Sequence, residues 1–259
     1  MKVFILKDAE AAAARVAGIV ADTLRDRPAA VLGFATGETM RPVYAGLVAR
    51  HRAGEADLSR ATTFNLDEYV GVAPDHPASF HSFMRATLFA PLGLDPARTH
   101  LPCGDAEDPE AEALRYEAAI AAAGGIDLQL LGICRNGHLA FNEPTSSLGS
   151  RTRLKTLTEA TRKANAPAFA PAPVPRHAIT VGIATILEAR ACVMLATGEA
   201  KSAAVARMIE GPLGADCPAT ALQLHPAATV VLDDAAASRL AMRDYYETVH
   251  PGGAEPSLG

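Results

Sequence analysis

The stretch LQLLGI, Leu128 to Ile133, is apolar apart from Gln129 and runs straight into CRNGHLAFNEP, which is polar and contains a glycine. A short apolar run bounded by turn residues is typical of a strand covered by helices on both faces. Similar runs recur along the chain, at Val3–Leu6, Ala30–Ala35, Thr62–Leu66, Ala178–Ile183, Val193–Ala196 and Thr229–Leu232. We therefore predict one strand at each of these runs.

Helical patterns separate the predicted strands. They cover Ala9–Arg25, Met40–Arg52, Ser79–Phe89, Glu110–Ala122, Lys201–Ile209 and Ala235–Tyr246. Alternating strands and helices at this spacing predict a Rossmann-like α/β fold, with a mostly parallel sheet, right-handed crossovers and flanking helices. We expect a single domain over residues 1–259.

Composition excludes several classes of protein. Of 259 residues, 49% are apolar and 20% charged, which rules out a disordered chain, and the net charge of −5 argues against nucleic acid or an acidic membrane as partner. The four cysteines are widely spaced, so neither a disulfide scaffold nor a zinc ribbon is expected. With no signal peptide and no long apolar run, the expected location is the cytoplasm.

A proline-rich segment, NAPAFAPAPVPR, occupies Asn165 to Arg176. Proline at this density disfavours helix and inner strand, so the sequence predicts an extended surface segment. It is either a connecting loop or a lid over a cleft.

Catalytic and ligand-binding residues are expected at the carboxyl ends of the strands, where open parallel sheets bind ligands. The turn ATGET, Ala35 to Thr39, follows one strand and precedes a helix, an arrangement that suits an anion or is simply structural. In FNLDEYVG the adjacent acids Asp67 and Glu68 follow another strand. Two such acids, partly withdrawn from water, raise each other's pKa, which suits one of them to proton abstraction, although a helix cap or a turn is the slightly favoured explanation from these residues alone.

The densest candidate is GICRNGHLAFNEP, Gly132 to Pro144. His138 has a carboxylate, Glu143, five residues on, which can orient the imidazole and make it more basic. The histidines show no recognised metal-ligand spacing, so no metal is expected. Cys134 is a conceivable nucleophile, but at a strand end we expect it to be a small buried hydrophobe.

Alternating cations follow in SSLGSRTRLKT, where Arg151, Arg153 and Lys155 suit either a phosphate or a solvated edge strand. Lys201, after Thr197-Gly198, is another cation at a strand's carboxyl end.

From about Ala30 to Asp233 the chain resembles the glucosamine-6-phosphate deaminase/isomerase family. The resemblance rests on ordered segments: LGFATGETM, FNLDEYVG with HPASFHSFM after it, GHLAFNEPTSSLGSRTRLKT, HAITVGIATILEAR, TGEAK and LQLHP. Members are Rossmann-like, often oligomeric, and convert an amino-sugar 6-phosphate to a ketose 6-phosphate and ammonia without a redox cofactor. The resemblance thus implies a sugar phosphate as partner and no cofactor, and it allows a homo-oligomer.

The resemblance also implies roles for individual residues. Asp67 would carry a proton from sugar carbon 2 to carbon 1, and His138, oriented by Glu143, would open the sugar ring. The 6-phosphate would be held by Lys201 and the turn of Thr36, Gly37, Glu38 and Thr39. Residues 158–177 would form the lid. An allosteric phosphate pocket at a subunit interface would use Ser146, Arg153, Lys155, Thr156 and Tyr245.

Three departures from the family pattern bear on substrate. Asn136 stands where the family usually has an aspartate paired with the histidine, so His138 is expected to be a weaker base unless Glu143 compensates. Pro167 aligns with the family's phosphate-binding arginine, for which Arg162, Lys163 or Arg176 would have to substitute. Glu38 replaces a small residue in the phosphate turn and would repel a dianion.

The expected activity is therefore an aldose–ketose isomerase/deaminase acting on glucosamine 6-phosphate, its galacto epimer or another sugar phosphate. A catalytically altered sugar-phosphate binding protein and a 6-phosphogluconolactonase-like hydrolase are the alternatives. The NEP motif after His138 and the DEYVG segment favour the deaminase.

Overall fold

The structure, a computed structural model, describes residues 1–255. Its strands are β1 (Lys2–Leu6), β2 (Val31–Phe34), β3 (Thr62–Asn65), β4 (Asp67–Tyr69), β5 (Thr99–His100), β6 (Leu128–Gly132), β7 (Arg153–Thr156), β8 (His177–Thr180), β9 (Ala191–Ala196) and β10 (Ala228–Asp233). Its α-helices are α1 (Ala9–Asp26), α2 (Arg41–Arg52), α3 (Phe80–Met84), α4 (Ala90–Leu92), α5 (Pro109–Ala122), α6 (Glu159–Phe169), α7 (Ile183–Leu187), α8 (Ser202–Glu210) and α9 (Arg243–Val249). A π-helical turn, Arg85–Phe89, joins α3 to α4.

Seven strands form the central sheet in the order β1-β10-β9-β6-β2-β3-β5, and every pairing in it is parallel. All of β2 is buried, as is nearly all of β9 and β10, which matches the apolar runs from which these strands were predicted. The predicted Rossmann-like fold with a mostly parallel sheet flanked by helices is confirmed. No helix among residues 1–255 is long and apolar enough to cross a membrane.

A second, three-stranded antiparallel sheet, β4-β8-β7, branches from the first at Leu66. The N–H of Leu66 donates to Phe34 O in the central sheet (3.0 Å), while its carbonyl accepts from Val181 N beside the second sheet (2.7 Å). The next residue, Asp67, pairs with Thr180 in β8. The chain thus turns out of the parallel sheet one residue before the predicted base.

The predicted strand Ala178–Ile183 is wrong in its partners and its end. The strand is β8, it lies in the antiparallel sheet, and Ile183 already begins α7. An apolar run indicates burial but not the direction of the neighbouring strand. Here the partners are β4, which is too short and polar to stand out in the sequence, and β7, which corresponds to the edge strand considered for residues 151–155.

The expectation that residues 165–176 are extended throughout is also wrong, because α6 continues to Phe169 with Pro167 inside it. A proline removes one helical N–H and crowds the preceding turn, but this one lies in the last turn of the helix. The start of α6 is capped, since Thr158 Oγ1 accepts from Thr161 N at 3.2 Å.

The helix expected over Ala235–Tyr246 begins only at Arg243. Asp233 at the end of β10 accepts the N–H of Ala236 (2.7 Å), which holds the alanine-rich segment in successive turns. The carboxylate of Glu210 then accepts the two N–H groups just before α9, at 2.8 and 2.9 Å. Tertiary hydrogen bonds therefore override helix propensity here.

Candidate active site

A cavity of about 710 Å³ opens at the carboxyl ends of β2, β3, β6 and β9, where ligands of parallel sheets bind. Its chemically active lining comprises Thr36, Gly37, Glu38, Thr39, Asp67, Cys134, Arg135, Asn136, His138, Thr161, Asn165 and Lys201. The structure therefore gathers the predicted catalytic and phosphate residues around one space. Glu143 is the exception, and it lies directly behind His138.

The turn after β2 forms one end of the cavity. Gly37 has a φ of +123°, a conformation that favours glycine, and the chain then enters a 3₁₀ turn leading into α2. Within the described residues, the N–H groups of Gly37, Glu38 and Thr39 have no backbone acceptor. Lys201 Nζ donates to Thr39 Oγ1 at 2.8 Å, which brings an ammonium group beside these donors. Such an arrangement suits an anion.

Glu38 does not face this end of the cavity as an isolated charge. Its side chain is 82% exposed, and both carboxylate oxygens accept from Arg41 Nε, at 2.8 and 3.0 Å. The guanidinium of Arg41 also lies over the ring of Phe83. Pairing with Arg41 therefore offsets much of the repulsion that the sequence alone predicts for a bound dianion.

Asp67 is buried in the cavity wall at the start of β4. Burial, together with the neighbouring charge of Glu68, raises the pKa of Asp67 to about 8, and His138 opposes this rise. The cause is the one expected from two adjacent acids. A carboxylate with a pKa near neutrality is a good proton acceptor once ionised.

Glu68, by contrast, is held by the backbone. Its carboxylate accepts from the N–H groups of Tyr69 (2.9 Å), Phe80 (3.1 Å) and His81 (2.9 Å). The last two belong to the first turn of α3, so Glu68 fixes that helix against β4. Of the two acids, Asp67 is the one left free to face a ligand.

His138 is oriented by a buried carboxylate. Its Nδ1 lies 3.1 Å from Glu143 Oε2, and the same oxygen accepts from Asn136 Nδ2 at 2.9 Å. Burial opposes the charge on the imidazole, but contacts with Cys134 and Glu143 outweigh it and raise the pKa of His138 to about 9. Glu143 thus supplies the compensation that Asn136 in place of an aspartate requires.

Glu143 also reaches the first turn of α6. Its Oε1 accepts from Thr158 Oγ1 (3.0 Å) and from Thr161 Oγ1. Although burial opposes ionisation, these contacts and His138 lower the pKa of Glu143 to about 2. The carboxylate is therefore ionised at neutral pH, and it links His138 to α6.

Cys134 is not the buried hydrophobe that its strand-end position predicts. β6 ends at Gly132, two residues earlier, and Cys134 opens a turn closed by the bond from Gly137 N to Cys134 O (2.9 Å). Its side chain is exposed in the cavity wall. Gly137 has a φ of +77°, which lets this turn reverse tightly beside Cys217.

Arg135 is a site residue that sequence reasoning missed. It lies in the same turn and lines the cavity, and it makes no ion pair with any described residue. None of the proposed substitutes, Arg162, Lys163 and Arg176, is in the cavity lining, and Lys163 pairs with Glu159 at 2.7 Å. The sequence signal that could have identified Arg135 is that it is a basic residue in a turn at the carboxyl end of a predicted strand.

The residues of the expected allosteric pocket lie outside the cavity. Arg153 Nη1 donates to Asn142 Oδ1 (2.9 Å), and burial with the charge of Arg153 lowers the pKa of Lys155. Ser146 is buried and its Oγ has no partner in the described residues. Thr156 is exposed on β7, whereas Tyr245 lies elsewhere, on α9, which packs against the edge strand β1.

Within residues 1–255 no group of three or more His, Cys, Asp or Glu side chains is arranged to hold a metal ion. The histidines are spread along the chain. For example, His225 Nε2 contacts Ala189 O at 2.8 Å, far along the chain from His138.

Residues 7–231 match the family model described as glucosamine-6-phosphate isomerases/6-phosphogluconolactonase. The chain belongs to this family. It is 53% identical over 244 residues to a glucosamine-6-phosphate deaminase of Rhodopirellula baltica, covering 94% of this chain and 97% of the relative. A deaminase of the same name from Streptomyces avermitilis is 52% identical over 254 residues, covering 97% of each.

Solved structures show the same fold. A monomeric glucosamine-6-phosphate deaminase superposes with a TM-score of 0.89 at 44% identity, covering 92% of this chain and 99% of the other. The 6-phosphogluconolactonase of Trypanosoma brucei has a TM-score of 0.73 at 20% identity, covering 93% of this chain and 98% of the other. The second likeness shows a shared fold alone.

The raised pKa of Asp67 predicts a pH-dependent cost to stability. Between the ordinary value of 3.8 and about 8 the folded state binds more protons at this carboxyl than the unfolded state, so its burial destabilises the protein increasingly as pH rises through that window. Asp67→Asn removes this cost. We expect the gain in Tm of Asp67→Asn over the native chain to be larger near pH 9 than near pH 5 by at least about 3 °C.

Thermal unfolding of both proteins at the two pH values measures this difference. Asp22→Asn, on the exposed surface of α1, is the matched control and should show the same small effect at both. A gain for Asp67→Asn that does not change with pH would contradict the raised pKa.

Proposed function

We propose that this protein is a glucosamine-6-phosphate deaminase, which converts glucosamine 6-phosphate and water to fructose 6-phosphate and ammonia. One observation carries the proposal: Asp67 and His138, the latter backed by Glu143, line one cavity that also contains a set of anion donors at Lys201. The names of relatives at about half identity support the same activity.

His138 opens the sugar ring in this proposal. With its pKa near 9, the imidazole is protonated at neutral pH and can donate to the ring oxygen. The neutral imidazole that results takes up the hydroxyl proton of carbon 1, so His138 ends the step protonated as it began. Because Glu143 occupies Nδ1, Nε2 is the nitrogen left to face the substrate. Glu143 acts through the histidine and is a positioning residue.

Asp67 then moves a proton between neighbouring carbons. It takes the proton from carbon 2 of the open-chain aldehyde and returns it at carbon 1. The aldehyde oxygen gains a proton as the ammonium nitrogen loses one, so that carbon 1 becomes an alcohol and carbon 2 a protonated imine. Water adds to that imine, and ammonia leaves as the ketone forms. The substrate's ammonium group lowers the pKa of the nearby carboxyl, so that substrate binding itself favours the ionised base.

The 6-phosphate is assigned to the turn of Thr36–Thr39, with Lys201 and Arg135 as its cations. Lys201 is held in place by Thr39, whereas Arg135 lies at the tip of its turn without an acidic partner among the described residues. Arg135 thereby takes the part of the arginine whose family position is occupied by Pro167.

Residues 158–177 are the proposed lid, since α6 lines the cavity through Ala160, Thr161, Ala164 and Asn165. Ser146, Arg153, Lys155 and Thr156 are the proposed effector site, supported by two cations on β7 and by the unpartnered hydroxyl of Ser146.

Asp67→Asn tests the activity and the role of the base together. We expect loss of roughly 10²–10⁴-fold both in ammonia release from glucosamine 6-phosphate and in solvent-deuterium incorporation into the product, because the amide cannot accept the proton. Asp22→Asn should behave like the native chain. A native chain that releases no ammonia would refute the activity, and undiminished deuterium incorporation in Asp67→Asn would refute the base.

Arg135→Ala tests the phosphate end of the cavity. Loss of a charge-assisted contact worth about 1.5–3 kcal/mol should raise KM for glucosamine 6-phosphate by roughly tenfold or more. Turnover of free glucosamine, which has no phosphate, should not change. Steady-state kinetics with both sugars measure this.

Lys163→Ala is the matched control for Arg135→Ala, since it removes a cation that pairs with Glu159 outside the cavity. Its KM should stay at the native value. A larger effect at Lys163 than at Arg135 would assign the phosphate to α6 instead.

A further inference from the structure

The cavity contains a nucleophile that the deaminase chemistry does not use. Cys134 is exposed in the cavity wall, and its backbone is joined to that of His138, with Cys134 N donating to His138 O at 3.5 Å and Gly137 N donating to Cys134 O at 2.9 Å. This narrow turn places both residues in the wall of the same cavity, where the thiol and the imidazole interact.

Cys134, His138 and Glu143 follow one another in space as nucleophile, base and orienting carboxylate. Glu143 Oε2 lies 3.1 Å from His138 Nδ1, which directs the other ring nitrogen away from the carboxylate. A thiol beside an imidazole that is itself fixed by an acid is the arrangement of cysteine-dependent acyl transfer. In the described residues this is a complete set, with the carboxylate also fixed by Thr158 and Asn136.

The surroundings of the thiol favour the thiolate. Burial disfavours the charge, but His138 and the ammonium of Lys201 outweigh it and lower the pKa of Cys134 below its ordinary value. Cys103 provides a contrast within the same chain. It is exposed too, yet burial of its sulfur and the carboxylate of Asp105, 3.2 Å away, raise the pKa of Cys103.

Donors for a developing oxyanion are present beside the thiol. In the part of the chain that the structure describes, the N–H groups of Arg135 and Asn136 have no backbone acceptor. The N–H that follows a nucleophile is a common oxyanion donor, and the ammonium of Lys201 adds a positive charge nearby. The remaining cysteines, Cys192 and Cys217, are buried.

We propose that Cys134 is the nucleophile of a Cys134–His138–Glu143 triad and gives the protein a second activity, the hydrolysis of small activated carboxylic esters that enter the cavity. This activity shares the cavity with the proposed deamination but does not require Asp67 or a phosphate.

The reaction has two steps. In the first step the thiolate adds to the ester carbonyl and the C–S bond forms. The C–O bond then breaks, and the leaving oxygen departs with its electron pair. A basic leaving oxygen is protonated by the His138 imidazolium. In the second step neutral His138 takes a proton from water, hydroxide adds to the thioester carbonyl, and the C–S bond breaks to release the acid and restore the thiolate. Where the leaving oxygen departs unprotonated, as p-nitrophenolate does, the His138 imidazolium first releases its proton to bulk water. No oxidant or reductant is needed.

The test uses p-nitrophenyl acetate with the native chain, Cys134→Ser and the matched control Cys103→Ser. The native chain and Cys103→Ser should release a burst of about one p-nitrophenolate per chain, with the acetyl group located on the Cys134 peptide by mass spectrometry. Cys134→Ser should lose roughly 100-fold or more of the hydrolysis rate, because a serine hydroxyl at neutral pH is a far weaker nucleophile than a thiolate.

Circular dichroism and thermal unfolding of Cys134→Ser establish that the variant is folded. Iodoacetamide alkylation of the native chain is the second measurement, and Cys134 should react at least about tenfold faster than Cys103. Hydrolysis at the native rate in Cys134→Ser, acetylation of another residue, or equal alkylation of the two cysteines would overturn the proposal. Ammonia release, assayed separately on the native chain, bears only on the deaminase.

Discussion

The site depends on a single buried carboxylate. Glu143 is 2% exposed, and an ionised acid at such burial is costly unless each oxygen is satisfied. Here one oxygen faces His138 and Asn136, and the other accepts from Thr158 and Thr161. Four side chains from two segments of the chain are therefore held in position by one charge.

Two consequences follow from this carboxylate. The first is electrostatic, since Glu143 helps to keep His138 protonated at neutral pH and so supports proton donation. The second is mechanical, because the same group attaches the first turn of α6, the proposed lid, to the catalytic histidine. A ligand that alters the charge on His138 therefore also alters the contact between Glu143 and the first turn of α6, which forms part of the cavity wall. The position of Asp67 depends instead on the junction at Leu66, while its pKa is coupled to this link through the charge of His138.

Much of this arrangement was predictable from local sequence. The apolar runs locate the strands of the central sheet, and the acid at residue 67 and the histidine with its nearby glutamate locate the site. Of the second sheet only β7 was indicated, as the edge strand considered for residues 151–155; β4 was not predictable, because it is short and polar, and both strands depend on pairing with β8. The same holds for the exposure of Cys134 and the position of Arg135, which depend on how one turn is placed over the cavity. The contacts from Glu143 to Thr158 and Thr161 join residues fifteen and eighteen apart, beyond any local pattern.

The central claim, that Glu143 helps to raise the pKa of His138, is tested most directly by NMR titration of the His138 imidazole. The native chain should titrate near 9, and Glu143→Gln should lower the pKa of His138 by at least about one unit toward 6.5, with Glu188→Gln, an exposed acid paired with Arg151, as the unchanged control. A native pKa of His138 at its ordinary value, or one unaltered by Glu143→Gln, would contradict the account.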